Sequence, residues 1–419
     1  MIAFLDVCVR QYRYMRPVEL GDTSIEIQLQ PHRRARFEPR RGRTLVNQRK
    51  LAARPQGETR ARRLLLAPDM ETLLLAALLM AAAPDPSTGT RFKADGDMKD
   101  VLTALGGMGG KPIESLTAAD ARKQPTPNDA VMAVLKQKDK STDPTALVPG
   151  VTSVDRTLPG PKGSLPVRIY TPSGKGPFPM IVYFHGGGWV LADKNVYDGG
   201  ARGLSKGAEA VVVSVDYRLA PEAKFPAQHD DALATYKWAL DNAASLNADP
   251  RRVALAGESA GGNLALATAI AARDQKLTAP LHILAVYPIT QLSSDVTPSY
   301  QDSANAKPLN KAMMSWFGKQ VFAKESDKQD PRVNLVGANL VGLPPVTLIN
   351  AQIDPLRSDG DLLMTALQKA KVQVEHKLYE GVTHEFFGMA AVVGDAKDAQ
   401  DFASKRLKEA FKGKSASGS

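Results

Sequence analysis

The stretch LAGESAGGN, residues 255–263, is the strongest indication of the fold, because it joins an apolar run to an alanine-rich segment through a very short turn. RVALA (252–256) has the composition of a buried strand, and the residues after Ser259 have helical character. Gly257 and Gly261 flank Ser259, so the neighbours two residues away on either side lack bulk. A strand, a tight turn and a helix in this order predict a nucleophile elbow, which exposes the Ser259 hydroxyl at the head of a helix.

From about residue 151 onward, short apolar runs alternate with amphipathic stretches. Apolar strands that are each followed by a helix predict an α/β fold, a mostly parallel sheet with helices on both faces. Ligands of such sheets bind at the carboxyl ends of the strands. The predicted strands are 167–170, 180–184, 210–215, 252–256, 283–287, 346–350 and 374–379, and the clearest predicted helices are 227–244, 260–273 and 394–412.

A second glycine-rich motif, YFHGGGWV (183–190), follows another apolar strand. It is either a loose loop or an oxyanion hole, in which the backbone N–H groups of Gly186 and Gly187 converge with that of Ala260 on a developing negative charge. Trp189, next to these glycines, is the best candidate for a substrate contact in this loop.

A nucleophilic serine needs a base and an acid, and the chain contains six histidines. His384, in YEGVTHEFFGM (379–389), follows the last predicted strand in a loop flanked by glycines. In this fold the order along the chain is serine, acid, histidine. Asp354, just beyond the strand 346–350, is therefore the predicted acid, while Asp359 and Asp361 are better suited to capping a helix.

The net charge of +10 is confined almost entirely to the beginning of the chain. Residues 1–63 carry 15 Lys or Arg and 6 Asp or Glu, a charge of +9, which leaves +1 for the remaining residues. We expect residues 1–69 to be a basic extension that is disordered or absent from the mature protein. Because the rest of the chain is nearly neutral, we expect no nucleic-acid partner, although a basic arm that binds nucleic acid is a rival hypothesis.

An apolar run of eleven residues, Leu73–Ala83, follows Met70. It is too short to span a bilayer as a helix. Residues 70–90 have two interpretations: a signal peptide of a chain that starts near Met70 and is exported, or a helix that packs on the cap of a protein that stays in the cytoplasm. The acidic Glu71 and Pro84 weaken the first interpretation.

Metal and cofactor chemistry find no support in the sequence. Cys8 is the single cysteine, which excludes an internal disulfide and a cysteine zinc site. The chain has no HExxH motif, and its histidines are scattered. We expect neither a metal nor a cofactor.

Five motifs in this order resemble the bacterial hormone-sensitive-lipase-like esterases, family IV of the bacterial lipolytic enzymes. They are HGGGW, DYRLAPEAKFPAQHDD, GESAGGN, DPLRSDG and GVTHEFFGM. The resemblance covers roughly residues 150–410 and implies an α/β-hydrolase core, a helical cap, hydrolysis of short- to medium-chain acyl esters and no cofactor. The family commonly has Asp before the nucleophile, where this chain has Glu258. Family members are often dimers, so the resemblance is compatible with a homodimer. No stretch of the sequence identifies an interface.

On this basis, we expect residues 91–150 to form cap helices and residues 151–413 to form the catalytic domain, with a cap insertion near 296–325. Met313, Met314, Trp316, Phe317 and Phe322 in that insertion either line an acyl pocket or form ordinary core. Two rival functions share the fold: an amidase or peptidase with the same triad, and a ligand-binding receptor that has lost catalysis. Retention of His384 argues against the receptor.

Overall fold

A single eight-stranded sheet forms the centre of the part of the chain that the structure describes. The computed structural model describes residues 84–292 and 297–412. The strand order is β1-β2-β4-β3-β5-β6-β7-β8; β2 pairs antiparallel with β1 and β4, and the other pairs are parallel. This confirms the predicted fold class. The strands are β1 Val151–Gly160, β2 Gly163–Pro172, β3 Phe178–Phe184, β4 Val211–Val215, β5 Ala248–Glu258, β6 Ile283–Val286, β7 Val346–Ile353 and β8 Val374–Thr383.

The central strands are predominantly apolar because helices cover both faces of the sheet. On β4 every residue is buried: Val211, Val213 and Val215 pack into one hydrophobic core and Val212 into the other. Successive side chains of a strand point to opposite faces, so an uninterrupted apolar run is what a doubly covered sheet requires. Strand β1 was not predicted, because it lies at the edge of the sheet and most of its residues are exposed.

Helices follow most of the strands, as the sequence pattern predicts. The predicted helix 227–244 is observed as Ala227–Asn242, followed by a 3-10 turn, and the predicted helix 260–273 is observed one residue longer. Numbered along the chain, the helices are α1 Gly96–Gly107, α2 Ala118–Ala121, α3 Pro127–Gln137, α4 Pro144–Leu147, α5 Asp198–Ala208, α6 Ala227–Asn242, α7 Ala260–Asp274, α8 Pro298–Asp302, α9 Lys311–Val321, α10 Arg357–Lys369 and α11 Gly394–Lys412.

The helices α1–α4 precede the sheet and begin at recognisable signals. Helix α3 starts with a capping box, in which Thr126 accepts a hydrogen bond from the backbone N–H of Asp129 and the Asp129 carboxylate accepts one from that of Thr126. Pro127 occupies the first helical position, where its missing N–H has no cost.

Two tethers join these N-terminal helices to the rest of the protein. The indole Nε1 of Trp316, on α9, donates a 3.0 Å hydrogen bond to the carbonyl oxygen of Leu116. Arg122 donates to the carbonyl oxygens of Val190 and Ala220, at 2.8 and 2.7 Å. The segment before the sheet therefore packs against α9 and against the loops that follow β3 and β4, at the carboxyl ends of these strands.

Several sequence expectations lie outside the described residues: the basic extension 1–69, the apolar run up to residue 83, and residues 293–296 at the edge of the predicted insertion. Within the part of the chain that the structure describes, no helix combines the length and the apolar character that crossing a bilayer demands.

Candidate active site

Ser259 lies at a sharp turn between β5 and α7, where its backbone is held at φ 56° and ψ −119°. L-residues rarely adopt this region, so the turn stores strain. A Cβ atom on Gly257 would overlap the carbonyl oxygen of Gly261, and one on Gly261 would overlap that of Phe184. The two glycines beside the serine are therefore required by steric contact within the turn and with the end of β3.

Three side chains from distant loops meet at this turn. Nε2 of His384 lies 2.9 Å from Oγ of Ser259, and Nδ1 of His384 lies 2.7 Å from Oδ2 of Asp354. All three residues are buried. The structure therefore brings together the three residues that the sequence predicted to be nucleophile, base and acid, in the hydrogen-bonded order that serine catalysis requires.

The acidic partner of His384 follows β7. Oδ1 of Asp354 accepts a hydrogen bond from the backbone N–H of Leu356 at 2.8 Å, which leaves Oδ2 for the imidazole. The two alternative acids lie elsewhere: Asp359 is inside α10, and Asp361 is exposed on the same helix.

The surroundings of His384 favour its charged form. Burial by itself lowers the pKa of the imidazole, but the charges of Asp354, Glu385 and Glu258 outweigh burial and raise the pKa above its usual 6.5. The ring of Tyr287 packs 4.4 Å from the imidazole, between ring centroids. These contacts hold the ring in place and stabilise the imidazolium that would form when it accepts a proton.

The glycine loop after β3 presents unused backbone donors. Within the described residues, the N–H groups of Gly186 and Gly187 donate to no backbone carbonyl. Ala260 is the first residue of α7, so its N–H has no partner inside the helix. The hydroxyl of Tyr217 donates to the carbonyl oxygens of His185 and Gly186, at 2.9 and 3.2 Å, and holds the loop in place.

A large cavity of about 1050 Å³ opens above Ser259 and His384. Its wall comes from the glycine loop, from the N-terminal helices and from the segment that contains α9. Met313, Met314 and Phe317 line it, whereas Trp316 and Phe322, which the sequence grouped with them, do not. Predominantly apolar walls beside a polar reacting centre are typical of a site for a small organic substrate.

Comparisons with known proteins identify the family of the chain. Residues 181–388 match a family model described as alpha/beta hydrolase fold. Carboxylesterase NlhH of Mycobacterium tuberculosis is 37% identical over 275 residues, which cover 64% of this chain and 86% of the relative. The chain belongs to the alpha/beta hydrolase family.

A further relative and a solved structure of this hydrolase family are also named as ester-hydrolysing proteins. Ethyl acetate hydrolase of Pseudomonas putida is 32% identical over 306 residues, which cover 71% of this chain and 92% of the relative. The crystallised esterase of Pyrobaculum calidifontis is 34% identical with a TM-score of 0.64, and the match covers 70% of this chain and 94% of that one. The resemblance to hormone-sensitive-lipase-like esterases is confirmed, and the protein is an enzyme of the hydrolase class.

Trp189, the predicted substrate contact, does not line the cavity in this hydrolase structure. Its backbone φ of 61° turns the side chain into the core, where the residue is 1% exposed and packs 5.9 Å from the ring of His229 and 6.5 Å from that of Phe322. The substrate contact expected of Trp189 is therefore corrected to a packing contact beneath the glycine loop. Position along the chain could not reveal this, because a turn with positive φ reverses the direction of the side chain.

A buried carboxylate network behind the serine was not foreseen. Glu258 accepts hydrogen bonds from the hydroxyls of Tyr183 and Tyr287, at the ends of β3 and β6. Burial raises the pKa of Glu258 to about 7, against the lowering effect of the two tyrosine hydrogen bonds. The sequence signal was the glutamate itself, since a carboxylate next to a buried turn demands partners.

Neighbouring residues of the motif DYRLAPE support the site from outside. Arg218 forms an ion pair with Asp231 at 2.7 Å, and Glu222 forms one with Arg122 at 2.7 Å. No group of three or more His, Cys, Asp or Glu within residues 84–292 and 297–412 is arranged to hold a metal ion.

Proposed function

We propose that the protein hydrolyses short- to medium-chain carboxylic esters through a serine acyl-enzyme, with Ser259, His384 and Asp354 as its catalytic triad. The observation that carries this proposal is the chain of two hydrogen bonds, 2.9 Å from Ser259 Oγ to His384 Nε2 and 2.7 Å from His384 Nδ1 to Asp354 Oδ2. The carboxylesterases among the relatives support the class of substrate.

In the first half of the reaction, Oγ of Ser259 attacks the ester carbonyl while Nε2 of His384 accepts its proton. The carbonyl oxygen becomes negative and is stabilised by the backbone N–H groups of Gly186, Gly187 and Ala260. His384 then returns the proton to the departing alcohol oxygen, which leaves an acyl group on Ser259.

In the second half, Nε2 of His384 accepts a proton from a water molecule, which attacks the acyl carbonyl. His384 then returns this proton to Oγ of Ser259 as the bond to the acyl group breaks and the carboxylic acid leaves. Asp354 keeps the proton of the imidazole on Nδ1 in the resting state, so that Nε2 is free to accept one. It also stabilises the imidazolium that forms twice in each turnover.

The cavity supports the proposed range of acyl chains. Its volume of about 1050 Å³ exceeds what a small acetyl ester fills, and Met313, Met314 and Phe317 supply flexible or flat apolar surface for a longer chain. Methionine side chains adapt to chains of different length, which favours a range of acyl groups over one defined length.

The test is the replacement Ser259→Ala, assayed with p-nitrophenyl esters from acetate to laurate. We expect turnover to fall by roughly 10⁶-fold, as when a nucleophilic serine is removed from such a triad. Ser245→Ala is the matched control, because Ser245 is exposed and its hydroxyl donates a hydrogen bond to the nearby carbonyl oxygen of Asn242. Full activity of Ser259→Ala would refute the mechanism.

The matching p-nitroanilides, measured beside the esters, separate an esterase from an amidase. We expect ester turnover to exceed anilide turnover for every acyl length. The reverse order would replace the proposed substrate class while leaving the triad unchanged.

A further inference from the structure

A second carboxylate stands beside the proposed triad. Glu385 directly follows His384, in the turn between β8 and the 3-10 segment Phe386–Met389. Its φ is 74°, a left-handed conformation that glycine adopts freely and that strains a residue with a side chain. Strain of this kind at a site is a reason to ask what the side chain does there.

The carboxylate of Glu385 is oriented by one hydrogen bond. The hydroxyl of Tyr197, next to α5, donates to its Oε1 at 2.7 Å. The same Oε1 lies 3.9 Å from Nε2 of His384, the nitrogen that faces Ser259. Tyr197 also packs against the glycine loop, since a Cβ on Gly186 would overlap its hydroxyl.

Glu385 contributes part of the cavity wall. Its side chain is 18% exposed, and Glu385, Tyr197, Ser259 and His384 all line the cavity. Among the described residues, no side chain or backbone group donates a hydrogen bond to its second oxygen, Oε2. A carboxylate oxygen without a donor in a mostly buried wall is a ready acceptor for a group of the substrate.

Three of the other charged side chains of the wall already have partners; the wall also contains Lys111 and Glu114, and Oε2 of Glu114 has no hydrogen-bond partner among the described residues. Arg122 is held by Glu222, and the ammonium of Lys307 donates to the carbonyl oxygen of Pro86 at 3.1 Å. The carboxylate of Asp193 accepts hydrogen bonds from the side chain and backbone of Asn195. Glu385 is distinguished by its position, since its Oε1 lies 3.9 Å from Nε2 of His384.

The position of Glu385 relates it to the alcohol half of an ester. His384 must protonate the leaving alcohol oxygen, which therefore lies within hydrogen-bond distance of Nε2. Because Oε1 of Glu385 is 3.9 Å from that nitrogen, the carboxylate is next to the first carbons of the alcohol. A hydroxyl on the carbon beside the ester-bearing one is within its reach.

We propose that Glu385 determines specificity by accepting a hydrogen bond from the alcohol half of the substrate, so that the enzyme prefers monoesters of vicinal diols. This inference rests on the proposed function and names the substrate class of that same site. Hydroxyl donors bind a charged acceptor more strongly than a neutral one. An alcohol without the hydroxyl leaves the carboxylate partly dehydrated and without a donor.

The experiment compares 2-hydroxyethyl butyrate with 2-methoxyethyl butyrate, whose leaving alcohol has similar acidity but no donor. Release of butyric acid is followed by titration at constant pH. For the unaltered protein we expect kcat/KM to be at least roughly 10-fold higher for the hydroxyethyl ester, the size of one hydrogen bond to a charged acceptor.

Two variants test the residue itself. Glu385→Gly removes the carboxylate and suits the positive φ, so the ratio between the two esters should fall to about 1. Glu385→Gln keeps an acceptor oxygen without the charge, so its ratio should be intermediate. Glu380→Gln is the matched control, since Glu380 is exposed near the end of β8 and should leave the ratio unchanged.

The outcomes separate this inference from the proposed function. If the unaltered protein hydrolyses both esters at equal kcat/KM, the specificity role is refuted and the triad stands. The same conclusion follows if the Glu385 variants slow both esters equally and shift only the pH profile, because the residue then acts through His384. If the unaltered protein hydrolyses neither ester nor the p-nitrophenyl series, the proposed function itself fails.

Discussion

The buried Glu258 should make the stability of the protein depend on pH. Replacing it by Gln keeps the shape of the side chain and removes the ionisable group beneath the nucleophile. Glu258 contacts Tyr183 and Tyr287, and the charges of Glu385 and His384 also act on it. Its pKa is raised from 4.5 to about 7, chiefly by burial.

Because the pKa of Glu258 is raised in the folded state, this residue makes the protein less stable as the pH rises. A carboxyl whose pKa is raised on folding stays protonated in the folded state while it ionises in the unfolded state, so ionisation favours unfolding as the pH rises above 4.5. At 1.36 kcal/mol per pKa unit, the rise to about 7 corresponds to roughly 3 kcal/mol, most of it lost between pH 5 and pH 8. Above the raised pKa the loss is complete.

We therefore expect the free energy of unfolding of the unaltered protein to decrease relative to that of Glu258→Gln by about 2–3 kcal/mol between pH 5 and pH 8. The assay is urea unfolding at several pH values, followed by the fluorescence of Trp189, Trp238 and Trp316. The difference between the free energies of unfolding of the two proteins at each pH removes the contribution of every group that does not interact with Glu258. A difference in the free energy of unfolding that stays constant with pH would refute the argument that burial of this carboxyl raises its pKa.

Two further changes test the site. Asp354→Asn should lower kcat by about 10⁴-fold. Because the substitution removes a charge that raises the pKa of His384, the acid limb of the pH profile of kcat/KM should move to lower pH. An acid limb that does not move would show that another group controls it. Gly261→Ala should destabilise the protein by about 1–3 kcal/mol in urea unfolding, because the new methyl group overlaps the carbonyl oxygen of Phe184. The control Gly107→Ala, with open space around its Cβ, should cost nothing, and equal effects of the two substitutions would contradict the steric argument.

Much of the core and of the candidate triad was predictable because the signals are local. The elbow around Ser259 needs glycines two residues away for steric reasons that act within one turn, and a covered parallel sheet needs uninterrupted apolar strands. Strand β1 escaped prediction because most of its residues are exposed and it lacks an apolar run. Pairing with β2, rather than its own composition, makes it a strand.

Residues around the candidate triad were harder to predict, because their roles depend on direction and not on position. Trp189 follows the glycine loop along the chain, yet its positive φ points the indole into the core. Glu385 follows the predicted base and has no local pattern of its own. Its relation to Tyr197 joins residues 188 positions apart, which only the packing of α5 against the loop after β8 creates.

Residue types within short segments were sufficient to predict the class of fold and the family, and to select Ser259, Asp354 and His384 as the candidate triad. Tertiary structure decided which side chains share the cavity: Glu385 and Tyr197 line it, and Trp189 does not. Strand order and register set the distances between loops that are far apart in the chain, and turn geometry sets the direction of each side chain. Neither the distances between loops nor the directions of the side chains can be predicted from a single short segment of the sequence.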